Sequence, residues 1–269
     1  MNKIITGLNW CNSIIEIYFL SKRLFFIAII SLILSLETNL SAQESKVWDY
    51  PVHYGTAEWE RLNTSNEKTY AYNIPDSVLE NMNTKDLVES CLNYPDIILI
   101  MSRDNIQLGY NYLKRIFNGF QELENRRNAG GELIKIYQKI NPEEIMNLIT
   151  PDNRGVFFLK LTFTELLLAQ KSILQNLKDD EIVHLLSLTN SVYEKKSSEM
   201  KYYAKFGITT PCLIIGRLFE IHNPELYARL ISNNPHIHVF LNETIVAEKD
   251  DLDQIIMASK EYLQTKRYE

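Results

Sequence analysis

The sequence predicts an all-α protein: packed helical hairpins forming an irregular α-array, with an extended N-terminal strap and at most one short β-hairpin. Three observations lead there. From Ile74 onward apolar residues recur with the 3.6-residue period of a helix rather than the two-residue period of a strand. Helix starts are marked repeatedly by Asn, Thr, Asp or Pro followed closely by an acid. Glycine is scarce, nine in 269 residues, whereas β-rich folds and phosphate-cradling loops tend to use more.

Taken in order, the chain opens with a leader. Ser21-Lys22-Arg23 precede an uncharged, mostly apolar run over 24–36, and a small-residue cleavage site follows at Ala42. This is the layout of a secretory signal peptide. A membrane span needs about 20 apolar residues, so no retained membrane span is expected. Residues 1–42 are read as the signal peptide, and the protein is expected in the periplasm or outside the cell. Residues 1–20 exceed a usual n-region and carry Glu16, which places the expected true start near position 20.

The strap, 43–73, contains "KVWDYPVHYGTAEWERL". Pro51 and Gly55 keep it irregular up to a short helix with Thr56 as its cap and Trp59 facing inward. Trp48, Tyr50 and Trp59 are the candidate binding residues. They form either an exposed aromatic platform or anchors seated in grooves between helices. A segment just beyond a cleavage site frays unless tied down, which favours anchors.

Residues 74–269 are read as one all-α domain. Pro75 and Asp76 open a first helix, and Asn83 or Thr84 caps a second that stops before Pro95. A third carries Ile106, Tyr110, Leu113, Phe117 and Phe120 on one stripe. Further starts lie after the Gly130-Gly131 pair and at Pro142. The stretch "VFFLKLTF" has strand-like composition, but its apolar pattern continues to Leu177, which predicts a long buried helix. Helices follow over 178–206, 210–221, 223–232 and 251–266, and 236–241 ("HIHVFL") is the one expected strand. A helix-start pattern recurs around residues 79–90, 137–148, 174–185 and 221–230 at irregular spacing, so no clean repeat family is implied.

The chemistry is bounded by what is scattered. Net charge is −6 and basic residues are dispersed, so no nucleic-acid partner is expected. No zinc-protease helix, nucleophile elbow, Walker loop, CxxC pair or EF-hand loop occurs. His236 and His238 are the best metal candidates, with Glu225, Glu243 or His222 as completing ligands, but the bland reading as surface histidines is preferred and no metal or cofactor is expected. His184 is expected to be partly buried. Cys91 and Cys212 lie in apolar settings and read as free buried thiols. The pairs Glu143-Glu144, Asp179-Asp180 and Asp250-Asp251 sit at helix starts, where acids meet the helix dipole. "YEKKSSEMKYYAK" reads as a solvated helix end.

"VWDYPVHYGTAEWERL", "IPDSVLENMNTKDLVESCLNYP" and "NGFQELENRRNAGGELI" together resemble a group of secreted proteins of Bacteroidota-type bacteria whose mature chains open on a Trp-Asp-Tyr-Pro segment. The resemblance covers about residues 46–137 and implies an exported, all-α bacterial protein with no assigned catalytic residue. The function expected is a non-enzymatic interaction or structural module of the bacterial envelope with a protein or peptide partner. The alternative is a hydrolase on a cell-wall or glycan substrate, with dispersed carboxylates around a groove.

Overall fold

In the computed structural model, residues 46–266 are described; the expected leader lies outside them. Among the described residues helix follows helix and there is no strand.

The strap is less extended than its sequence suggests. α1 (Ala57–Glu60) is capped by Thr56, whose hydroxyl accepts from the Trp59 amide. α2 (Ser65–Tyr70) arises in the second half of the strap read as extended. There Thr64 and Glu67 form a capping box in which each side chain accepts the other's backbone N–H. α3 (Asp76–Asn81) follows Pro75, and α4 (Thr84–Leu92) is capped by Asn83.

The long stripe over 106–125 is two helices, α5 (Ile106–Ile116) and α6 (Asn118–Asn125), broken at Phe117 with φ −129° and ψ 116°. Its five apolar residues are all buried, so the periodicity identifies the face but not the break. Asn118 makes the break. Its side chain accepts from the Ile74 N–H at 3.0 Å and donates to the Ile74 carbonyl at 2.7 Å, while its own N–H donates to Asn73 Oδ1 at 3.1 Å. Tertiary partners thus replace the helical ones.

α7 (Ala129–Tyr137) leads to a 3₁₀ turn at Pro142–Asn147. α8 (Pro151–Leu168) ends earlier than its apolar pattern suggests, and a short α9 (Lys171–Leu174) takes over. Only the second half of α8, residues 161–168, is buried throughout; residues 151–160 are exposed or half-buried. α10 (Asp179–Ser198), α11 (Met200–His222), α12 (Pro224–Asn233), α13 (Pro235–Glu243) and α14 (Lys249–Lys266) complete the array.

α13 replaces the strand expected at 236–241. Asn234 accepts from the His236 N–H at 3.1 Å, and Pro235 occupies the first turn. The residues it buries, Ile237, Phe240 and Leu241, have i, i+3, i+4 spacing. The alternation in the sequence is therefore a by-product of two histidines flanking a helical apolar face.

α11 is the centre of the array. Residues 207–219 are buried on every side, and the helix packs against α8, α10, α12 and α14. Arg217, from its buried stretch, donates to the carbonyls of Ala169 (3.0 Å) and Leu241 (3.3 Å) and to the Thr244 hydroxyl (3.2 Å). It thereby satisfies carbonyls near the ends of α8 and α13 that have no helical donor.

Candidate functional site: a cation-rimmed notch in the central helix

α11 carries two features that oppose continuous helix. Pro211 lies in its interior and has no N–H for the carbonyl of Gly207, four residues earlier. Ala204 has φ 51° and ψ −172°, backbone territory that is otherwise glycine's. The chain turns at Ala204 and resumes as helix beyond it.

The freed Gly207 carbonyl finds a donor on another element. Lys196, from α10, donates to it at 3.0 Å. The same ammonium donates to Glu165 Oε2 of α8 at 2.6 Å and lies 5.3 Å from the centroid of the Tyr203 ring. Neither Lys196 nor Glu165 exposes any side-chain surface. Glu165 also accepts from the Tyr137 hydroxyl at 2.9 Å and from the Thr210 hydroxyl. A buried ion pair persists only where its remaining protons and lone pairs are used, and here the ammonium meets a carboxylate, a carbonyl and a ring face. Burial lowers the Lys196 pKa, and the Glu165 charge opposes that shift. Burial, reinforced by the Glu165 charge, pushes the Tyr137 phenol well up. Tyr203 is raised by the same causes in the same order, and its hydroxyl donates to the Pro142 carbonyl at 2.6 Å.

The turn at Ala204 opens a notch of about 460 Å³ whose floor is Met101, Ile145, Phe158, Tyr203 and Phe206. Phe158 lies close over Gly207, where a Cβ would come within 2.9 Å of its ring. A second hollow of about 280 Å³ shares Met101 and Phe206 and runs on to Arg103, Ile245 and Val246. The two hollows adjoin at Met101 and Phe206 and together make up the cleft, each in or near the size range of small-ligand sites.

Cations rim it. Arg154 lies 5.3 Å from the Tyr202 ring centroid and gives its Nε–H to the Leu148 carbonyl at 2.9 Å. Lys201 lies 4.7 Å from the same ring, and its nearest carboxylate, Glu199, is 4.0 Å away. Arg103 lies 4.5 Å from the Tyr112 ring. The first hollow has no carboxylate in its lining, and the second has Asp104. Exposed apolar residues belong to the lining: Met101 is 45% exposed, and Ile245 in the second hollow is 46% exposed.

The residues singled out in the strap lie elsewhere. Tyr50 is buried, with its ring 5.9 Å from Tyr72 and Phe117 and 6.0 Å from Tyr94; its hydroxyl donates to the Ser90 carbonyl at 2.6 Å. Trp48 is half-buried and gives its backbone N–H to Ser90 Oγ at 2.8 Å. Trp59 is half-buried and stacks on Tyr72 at 5.9 Å. None of the three lines the cleft.

Other expectations are resolved as follows. Cys91 and Cys212 are free and fully buried, and burial pushes both thiols well up. His236 and His238, two apart on a helix, point to different sides, and His238 Nδ1 lies 3.0 Å from the Tyr227 hydroxyl. Among the described residues no group of three or more His, Cys, Asp or Glu is placed to hold a metal ion. His184 is exposed rather than partly buried, and its Nε2 lies 3.1 Å from Gln138 Oε1.

Sequence reasoning missed Lys196, read as part of a solvated helix end, and Glu165. One local signal exists: Glu165 is a lone acid inside the apolar run "TFTELLL", and a buried charge requires a partner. Comparison with protein families, curated proteins and solved structures gives no match.

Proposed function

We propose that this is an exported, all-α interaction module of the bacterial envelope, and that the cleft at the α11 notch is where it holds a protein or peptide partner. One observation carries the reading: an apolar aromatic floor, half-exposed at Phe158 and Phe206, lies among three cations of which, among the described residues, only Lys201 has an ion-pair partner, Glu199 at 4.0 Å. Exposed aromatic and apolar surface rimmed by polar groups marks interaction sites. The floor is also preorganised, since the Lys196–Glu165 network fixes Gly207 and Tyr203 from beneath.

Export rests on the leader over 1–42 and on the resemblance of residues 46–137 to secreted Bacteroidota-type proteins. Among the described residues no helix is long and apolar enough to cross a membrane. A hydrolase would place two carboxylates facing each other across a groove. In this cleft Asp104 is the one carboxylate of the lining, and the fully buried Glu165 is committed to three donors.

The test is position-specific photo-crosslinking in the native envelope. A photoreactive residue at Met101 is expected to give a discrete adduct, and one at exposed Glu80 is expected to give none. Absence of any Met101 adduct above the Glu80 background would reject the cleft as the partner surface.

A further inference from the structure

Resting on that reading, we infer the chemistry of the occupant: an extended peptide segment in which apolar side chains alternate with acidic ones. The charge pattern supports this. In a chain of net charge −6, the cleft gathers Arg154, Lys201 and Arg103 around a lining whose one carboxylate is Asp104. Arg154 and Arg103, which have no ion-pair partner among the described residues, and Lys201, whose pairing with Glu199 is long at 4.0 Å, are complementary over an apolar floor to acids flanking apolar groups.

The cations also lie on separate elements. Arg154 is near the start of α8, Lys201 near the start of α11, and Arg103 before α5 in the second hollow. A single headgroup meets one end of such a cleft, whereas a peptide presents acids at intervals along it. Met101 and Phe206, shared by the two hollows, form a continuous apolar seam between the charged ends for the side chains of an extended segment. The break at Ala204 adds to the preference, because the helical stretch that resumes there starts at the cleft and its positive end favours nearby negative charge.

The arrangement also orders the contributions. Arg154 is half-buried and held by the Leu148 carbonyl, so it is a fixed contact. The Lys201 side chain is 68% exposed, so it contributes mainly through charge, and its contribution weakens with salt. The occupant's affinity therefore falls with ionic strength without vanishing, since the Phe158 and Phe206 contacts do not depend on salt.

Fluorescence anisotropy on the purified protein tests this with labelled short peptides that alternate leucine or phenylalanine with glutamate. Matched peptides carry lysine in place of glutamate, and dodecanoate serves as competitor. The glutamate peptides are expected to bind and the lysine peptides not. Lys201→Glu and Arg103→Glu are each expected to weaken binding about tenfold with unchanged melting temperature. Equal binding of both peptide sets, or affinity untouched by the charge reversals, overturns the proposal. Full displacement by stoichiometric dodecanoate assigns the cleft to an acyl amphiphile and also overturns it. So does a dimer of this chain that Lys201→Glu dissolves. If peptides fail while the Met101 crosslink persists, the acidic-peptide inference falls and the cleft as a partner surface stands; loss of both removes the reading beneath it.

Discussion

Around Tyr50, the rings of Tyr72, Tyr94 and Phe117 meet at 5.9–6.0 Å, closed off from water, with the central hydroxyl spent on the Ser90 carbonyl. Around Phe158, the rings of Tyr203 and Phe206 meet at a similar 6.1 Å. There, however, Phe158 and Phe206 are half-buried, and Arg154 and Lys201 lie over the neighbouring Tyr202. The ring geometry is alike and the exposure differs. In the first cluster the aromatics close a joint between the strap and the helices. In the second they floor an opening. Aromatic density in a sequence therefore marks where large side chains gather and leaves open which surface remains available.

The largest effect expected acts on both clusters together. Burial raises the phenols of Tyr50, Tyr94, Tyr110, Tyr137, Tyr193 and Tyr203. In the unfolded chain they release protons near pH 10, as they do not when folded, so their contribution is intact below about pH 10 and lost above it. Lys196 works in the opposite direction, since its pKa is lowered on folding, but it is one group against several. Urea midpoints should hold between pH 8 and 10 and collapse by pH 11, with tyrosinate absorbance rising as helical dichroism falls. Phenols that ionise with dichroism intact would mean that the clusters are open to water.

Next in size is the support beneath the notch. Glu165→Ala or Lys196→Ala leaves a buried charge unpaired and is expected to cost about 3–5 kcal/mol. The double change to Leu and Met should recover only part of that, because the buried Tyr137 hydroxyl and the Gly207 carbonyl lose their partners. A loss below 1 kcal/mol in the single variants would show that water reaches the pair.

The strap cluster comes third. Tyr50→Ala is expected to cost about 3 kcal/mol, and Trp48→Ala or Trp59→Ala, being half-buried, about 1–2 kcal/mol each. Unchanged melting of the Trp variants with loss of peptide binding would move the binding surface to the strap and reverse the comparison.

The smallest effect is at Ala204, which is exposed. Ala204→Gly removes backbone strain and should raise the urea midpoint by an amount equivalent to about 1 kcal/mol. A lower midpoint would mean that the methyl group makes a contact worth more than the strain.

The helices were legible wherever a cap or a proline announced them. Asn83, Pro142 and Pro224 all stand where the structure starts a helical segment. The break at Phe117 was hidden because its cause, Asn118 bonding to Asn73 and Ile74, lies some 44 residues away in sequence. α13 was misread because His236 and His238 imitate strand alternation, although Asn234-Pro235 already signalled a helix start. The cleft left no trace in any one segment: its lining comes from the 97–101 turn and from residues near 145, 158, 203 and 245. The Trp-rich strap drew attention because its residues are rare and adjacent, whereas the site is assembled from common residues far apart.

Pro211 has one more consequence, and it concerns the order of assembly. By withholding an amide proton it leaves the Gly207 carbonyl to an ammonium carried by α10 at 3.0 Å, with a longer contact of 3.4 Å from the Thr210 hydroxyl. An isolated peptide of residues 200–222 keeps only the weaker of the two donors. The opening on the outside is thus templated from the inside. Its lining comes from α8, α11 and residues 101 and 145, so the opening exists only once these have packed together.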